Sequence, residues 1–330
     1  MQADVSDSAA DQSLFADLIG QPLAESLLLA ALKKQRLAPA YLFVGPHGVG
    51  RRLAALRFFE GMLNSCQVSM RERRRLEELN HPDLLWVEPT FNHQGRLIPV
   101  SEADEIGVSR RSPPQVRLDQ IRSVTRFLAR QPVEASRSMV VLDGVEAMPE
   151  AAANALLKTL EEPGKGILIL LSAKPEQLLA TIRSRCQQIP FFRLDWLAMQ
   201  EVLSRVENFR LTFSSIDAIQ SDVVLLSAGS PGALLANHQI YDEIPKELWP
   251  RLRQNPSQAM EALALARDIS DALNGEQQLW LINWWEYNLW REKYDPTLLI
   301  GLAKLRQHLL NFVQPRLAWE VALLEISNRV

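Results

Sequence analysis

The chain has 330 residues, 47% of them hydrophobic and 23% charged, with a formal net charge of −3. This is a globular composition with length for two or three domains, and the near-neutral balance excludes a globally basic nucleic-acid binder, so any DNA contact must be local. The two cysteines are far apart, Met1 to Ser13 is polar and acidic, and no run approaches the roughly 20 apolar residues of a membrane helix; together these exclude a disulfide framework, a secretion signal and a membrane span, and lead us to expect a cytoplasmic protein.

In chain order, Tyr41 to Val44 is a short apolar run ending at Gly45-Pro46 and predicts a buried strand followed by a turn. Arg71, Arg73, Arg74 and Arg75, interrupted by Glu72, Glu77 and Glu78, predict a salt-bridged helix. Leu84 to Val87 reads as a second strand. Phe91 to Pro114 is polar and aperiodic and predicts a long surface insertion. Asp119 to Arg130 reads as a helix with Ile121, Val124 and Leu128 on one face and Arg122, Arg126 and Arg130 on another. A third strand, Met139 to Leu142, ends at Asp143-Gly144. A helix follows, with Pro149 at its first turn, strong formers from Ala151 to Leu160, and a stop at Pro163-Gly164. Ile167 to Leu171 is a fourth strand. Continuous apolar runs separated by helices predict a parallel sheet covered on both faces. After about residue 190 helical patterns dominate, with a turn at Gly229 to Gly232 and Pro-punctuated chain from Pro245 to Pro256. This places domain boundaries near 190 and 240. From Trp280 to Trp290 the aromatic residues cover most of a helix circumference, so that helix is domain core or an interface.

The segment Gly45-Pro46-His47-Gly48-Val49-Gly50-Arg51-Arg52 follows the first strand and opens a helix. Its Gly45 and Gly50 have the spacing of the phosphate-binding pattern G-x-x-x-x-G-K-[ST], whose backbone N–H groups cradle phosphates. The lysine of that pattern is replaced by Arg51, bulkier and planar, and the Mg²⁺-holding hydroxyl by the cation Arg52. The third strand carries a parallel departure. Asp143 stands where a metal-site acid belongs, but Gly144 follows it, and Glu146 lies two residues further on.

Asn154 to Pro163 resembles the N-A-L-L-K-x-L-E-E-P signature of the clamp-loader branch of AAA+ proteins, and Ser184-Arg185-Cys186 resembles its S-R-C motif. Leu18 to Gln21 and His81 to Leu84 are weaker landmarks of the same family. The resemblance covers residues 14 to 235 well and is to the delta-prime subunits of the bacterial DNA polymerase III loader. It implies a RecA-like AAA+ module (1–190), a small helical lid domain (191–240) and a C-terminal helical collar domain for oligomerisation (241–330). It further implies that Arg185 is an arginine finger donated in trans to a neighbouring subunit's ATP site, with Ser184 and Cys186 shaping its turn. Ser172 falls at the first-sensor position, and Gly229-Ser230-Pro231-Gly232 lacks the sensor arginine of hydrolysing subunits. The expected partners are the ATP-hydrolysing and delta subunits, primed DNA, and the sliding clamp indirectly. Arg122 and Arg126 are the DNA-contact candidates, since the corresponding family helix lines the loader's central chamber. No independent catalysis, no cofactor and no metal are expected; any polymerase activity is by association with the holoenzyme. Many relatives carry a four-cysteine zinc module, whereas this region offers Cys66 and His81, and Cys66 is expected to be a small buried residue. The alternative is an active AAA+ ATPase, against which Arg51, Arg52 and Gly144 argue; a nucleic-acid binding module outside replication is a third reading, opposed by Arg185 and the Asn154 to Pro163 signature.

Overall fold

The computed structural model describes residues 14–64, 66–103, 106, 112–162, 164–206, 221–253, 256, 258–292, 296–311 and 313–327. Met1 to Ser13, Pro163 and part of the 91–114 insertion lie outside the described residues. The chain divides into two compact units, one extending to Ala198 and the other beginning at Met199.

The first unit is built on a five-stranded parallel sheet. Its strands are β1 (Ala40–Val44), β2 (Leu84–Val87), β5 (Met139–Leu142), β6 (Ile167–Ser172) and β7 (Gln187–Pro190), in the order β2-β5-β6-β1-β7. The four apolar runs are the four strands read from sequence. Side chains alternate across the sheet, so an all-apolar strand needs cover on both faces. On one face Leu42, Val140 and Leu168 pack with Ile121 and Val124 of α4 (Leu118–Leu128) and Leu156 of α5 (Glu150–Glu161). On the other, Tyr41 meets Phe58 of α2 (Arg51–Leu63) edge-on at 5.2 Å. The helices α1 (Pro22–Lys33) and α2 contact each other.

Two elements depart from the sequence expectations. β7 lies at the sheet edge beside β1; only Ile189 of its four residues is apolar and buried, so it carries no strand signal. A proline at its end is tolerated because an edge strand need not donate there. The insertion is partly ordered: β3 (Thr90–His93) and β4 (Arg96–Pro99) form an antiparallel hairpin. Thr90 also bridges to Gln115, which ties the hairpin base to the start of α4.

The salt-bridged helix is α3 (Met70–Glu77). Its Arg73 pairs with Glu60, whose side chain is fully buried, at 3.0 Å, and Arg57 of α2 pairs with Asp17 and Glu77 at 2.6 Å each.

The described part of the second unit is helical. After α6 (Ala180–Arg183) in the first unit, α7 (Trp196–Arg205) spans the division; then come α8 (Ser221–Ser227), α9 (Pro231–Glu243), α10 (Leu248–Arg253), α11 (Ala259–Ala272), α12 (Gly275–Glu292), α13 (Pro296–Leu310) and α14 (Pro315–Ser327). Its core joins Trp249, Trp280, Trp284, Trp285 and Trp319 with leucines of α11, α13 and α14. The tryptophans of α12 are therefore mainly core, while Trp290 stands 60% exposed. No described helix is long and apolar enough to cross a membrane.

Candidate functional site

β1 sits inside the sheet with β6 and β7 on either side, so the loop after it emerges at the carboxyl edge, where parallel α/β sheets place ligands. The Gly45 N–H donates to Ser172 O at 3.1 Å, and a Cβ on Gly45 would lie 2.3 Å from Phe191 O. Gly50 caps α2 at φ +101, where an added Cβ would also strike Leu18. These glycines thus serve close packing whether or not a phosphate binds. Gln21, 1% exposed, fastens the loop from behind: Nε2 donates to Val49 O at 3.2 Å and to Phe192 O at 2.7 Å, while Oε1 accepts from Phe192 N at 2.9 Å.

A pocket of about 560 Å³ opens here, lined by His47, Gly48, Gly50, Arg51, Arg52 and Asp143 among others. Arg51 is only 5% exposed. Its Nη2 lies 3.1 Å from His47 Nδ1, and its Nη1 has no hydrogen-bond partner among the described residues. Burial lowers the pKa of Arg51, against the pull of Asp143 and Glu146. Burial raises that of Asp143, against Arg51 and His47. Burial of the His47 ring, with the Arg51 charge beside it, lowers the His47 pKa. A neutral His47 is the form whose Nδ1 can accept from the guanidinium. Arg52 lies over the Trp86 ring, 4.6 Å from its centroid.

Asp143 follows β5, with its N–H on Val87 O at 2.8 Å. Gly144 takes φ +62, and a Cβ there would approach Pro89 to 3.0 Å. The chain then makes a short 3₁₀ turn, Val145–Ala147. Glu146 uses Oε1 to accept from Ala173 N at 3.1 Å, and the fully buried Ser172 accepts from Lys174 N at 3.2 Å.

Arg185 lies on the turn between α6 and β7 and does not line this pocket. Its Nη1 donates to Thr181 O at 3.1 Å and its Nη2 to Glu161 Oε1 at 2.8 Å. Ser184 Oγ donates to the same Thr181 carbonyl at 3.1 Å. Cys186 is half-buried, and burial pushes its thiol up to about 12, which leaves it protonated and unreactive at neutral pH. Arg122 and Arg126 stand exposed on α4; Arg122 pairs with Asp119 at 3.0 Å, and Arg126 donates to Ser123 Oγ at 3.0 Å.

The fold brings the Gly45–Arg52 loop and the Asp143–Gly144 turn to one place, as their order in the sequence implies. Cys66 is half-buried rather than buried. His81 is buried and accepts from Asp83 N through Nδ1 at 3.1 Å. Sequence reasoning did not assign roles to Gln21 or Glu161.

The family model for DNA polymerase III, delta subunit, matches residues 20–195, more than half of the chain. The model for the cyanobacterial DNA polymerase III delta prime C-terminal domain matches residues 197–326. The chain is 34% identical over 190 residues to DNA polymerase III subunit delta' of Bacillus subtilis, a match spanning 56% of this chain and 51% of that relative. It is 28% identical over 288 residues to subunit delta' of Pseudomonas aeruginosa, spanning 82% and 77% of the two chains. A DNA polymerase III gamma subunit-related protein of Thermotoga maritima shares the fold, with a TM-score of 0.51 at 16% identity over 93% of this chain and 99% of that one. With a five-stranded parallel sheet, a C-terminal helical region and two family models covering nearly all of the described residues, the chain belongs to the DNA polymerase III delta-prime family.

Proposed function

We propose that the chain is the subunit of a bacterial clamp loader that hydrolyses no ATP, donates Arg185 to a neighbouring subunit's ATP site, and helps place the sliding clamp on primed DNA. The observation that carries this reading is Arg51: a guanidinium, 5% exposed, lies in the pocket that a nucleotide phosphate and its Mg²⁺ would share. Arg52 supplies a second cation where a hydroxyl ligand belongs, and Gly144 offers no carboxylate to orient water. These residues do not fit a Mg²⁺–nucleotide. Arg185, by contrast, is an exposed guanidinium on the S-R-C turn, in a chain with no site of its own for it to serve. A guanidinium delivered in trans stabilises charge on the transferring phosphoryl group.

In this reading Arg122 and Arg126 face DNA phosphates, the segment 191–240 is a lid, and 241–330 is a collar holding the subunits together. The exposed apolar side chains of Leu310, Leu317 and Val321 on α13 and α14 support a collar contact. Equilibrium binding of a labelled nucleotide to the isolated chain is the test. No saturable binding is expected at micromolar concentration; Mg²⁺-dependent micromolar affinity, about −8 kcal/mol, would overturn the non-hydrolysing assignment.

A further inference from the structure

We propose that Glu161 is a positioning residue for Arg185, holding the finger in one orientation before a neighbour's phosphate reaches it. This rests on the reading of Arg185 as a finger in trans. Glu161 is the last residue of α5, and its Oε1 accepts from Arg185 Nη2 at 2.8 Å. The Thr181 carbonyl accepts from Nη1 at 3.1 Å. That carbonyl is itself fixed by the helical turn of α6 and shared with Ser184 Oγ. Two different elements, α5 and α6, thus grip the two terminal nitrogens of one guanidinium.

Arginine has five N–H donors, of which these contacts use two and leave three for an incoming phosphate. A long side chain delivered across a subunit boundary must be held near its productive geometry, since small misplacements cost large factors in rate. The carboxyl end of α5 adds to the hold, because helix C-termini attract cations.

Restraint is the rival role for the same contact, and the sign of the change in hydrolysis separates the two. Arg185 and Glu161 side chains are 38% and 54% exposed. An ion pair this wet changes populations by about five-fold at most. A finger contributes about 10³–10⁵ in rate, so this carboxylate can modulate it but not cancel it. A five-fold bias is enough to favour one rotamer, and it strengthens when a neighbouring subunit excludes water from the pair.

The experiment is steady-state ATP hydrolysis by the reconstituted loader, containing the full chain, the ATP-hydrolysing and delta subunits, the clamp and primed DNA. It compares Glu161→Gln, Arg185→Ala and the double variant. The hydrolysis that depends on Arg185 is the difference between the unmodified and Arg185→Ala complexes. Glu161→Gln is expected to lower that difference by up to about five-fold. KM for ATP and the melting midpoint should be unchanged, and the double variant should match Arg185→Ala alone. Hydrolysis equal to or above the unmodified complex overturns the proposal. So does a further loss in the Arg185→Ala background, or a lowered melting midpoint that accounts for the change. If Arg185→Ala itself is silent, the finger reading fails and the role of Glu161 goes with it. If Arg185→Ala lowers hydrolysis and Glu161→Gln does not, only the positioning role is lost.

Discussion

At the scale of single residues, the proposed lack of nucleotide hydrolysis rests on the pocket's backbone as well as its side chains. Arg51 and Arg52 are replaceable in principle. Gly144 is not, because its φ of +62 favours glycine and a glutamate there would be held in the left-handed region beside Pro89. Glu146 is half engaged: Oε1 accepts from Ala173 N, while Oε2 has no hydrogen-bond partner among the described residues. The double variant Arg51→Lys, Arg52→Thr restores the phosphate-loop side chains and is expected to remain without ATP hydrolysis. Turnover above background by the purified variant would show that the Asp143–Glu146 turn still supports chemistry. Gln21 is a residue of the opposite kind, purely a fastener. Gln21→Leu would leave the Val49 carbonyl and the part-buried Phe192 backbone groups without the amide and should cost about 1–3 kcal/mol in chemical denaturation. A change within experimental scatter would mean that water replaces the amide.

At the scale of elements, α4 presents a sharp division. Ile121, Val124 and Leu128 are buried against the sheet, while Arg122 and Arg126 stand outside and, among the described residues, pair locally with Asp119 and Ser123. Such a face meets water or phosphates. Replacing both arginines with alanine should weaken primed-DNA binding by the assembled loader uniformly across sequences. The salt slope should fall by about 1 for each lost phosphate contact. An unchanged slope would return the helix to ordinary surface. The hydrophobic face of α4 and the four apolar strands were legible because burial on a helix stripe or within a covered sheet leaves a pattern in a short window. β7 left none, since an edge strand with one buried residue need not be apolar. The hairpin of β3 and β4 was hidden by polar residues that its exposed faces tolerate. At the site, the glycine loop was legible from its backbone spacing, and the S-R-C turn from its resemblance to the clamp-loader motif. The Gln21–Phe192 and Glu161–Arg185 contacts span 171 and 24 residues, and no local pattern records a partner that distant.

At the scale of the whole molecule, two compact units with separate cores carry very different optical labels. Of eight tryptophans, Trp249, Trp280, Trp284, Trp285, Trp290 and Trp319 lie in the second unit, and only Trp86 and Trp196 in the first. Intrinsic fluorescence therefore weights the second unit, whereas far-UV circular dichroism sees helices of both. A chain with two cores need not unfold in one cooperative step. Glu60 gives a way to displace one transition alone. Its side chain is fully buried in the first unit, 3.0 Å from Arg73 and 3.6 Å from Arg57, and it accepts from Ser69 N at 3.1 Å. Glu60→Gln keeps the shape and removes the charge, leaving Arg57 with Asp17 and Glu77 and Arg73 with Asp17. Breaking a buried pair costs about 3–5 kcal/mol where the remaining charge is left unpaired, and less here because both arginines keep a carboxylate. The variant should show an earlier circular-dichroism transition with its fluorescence midpoint unmoved. A single transition, shifted equally by both probes, would mean that the two units unfold as one.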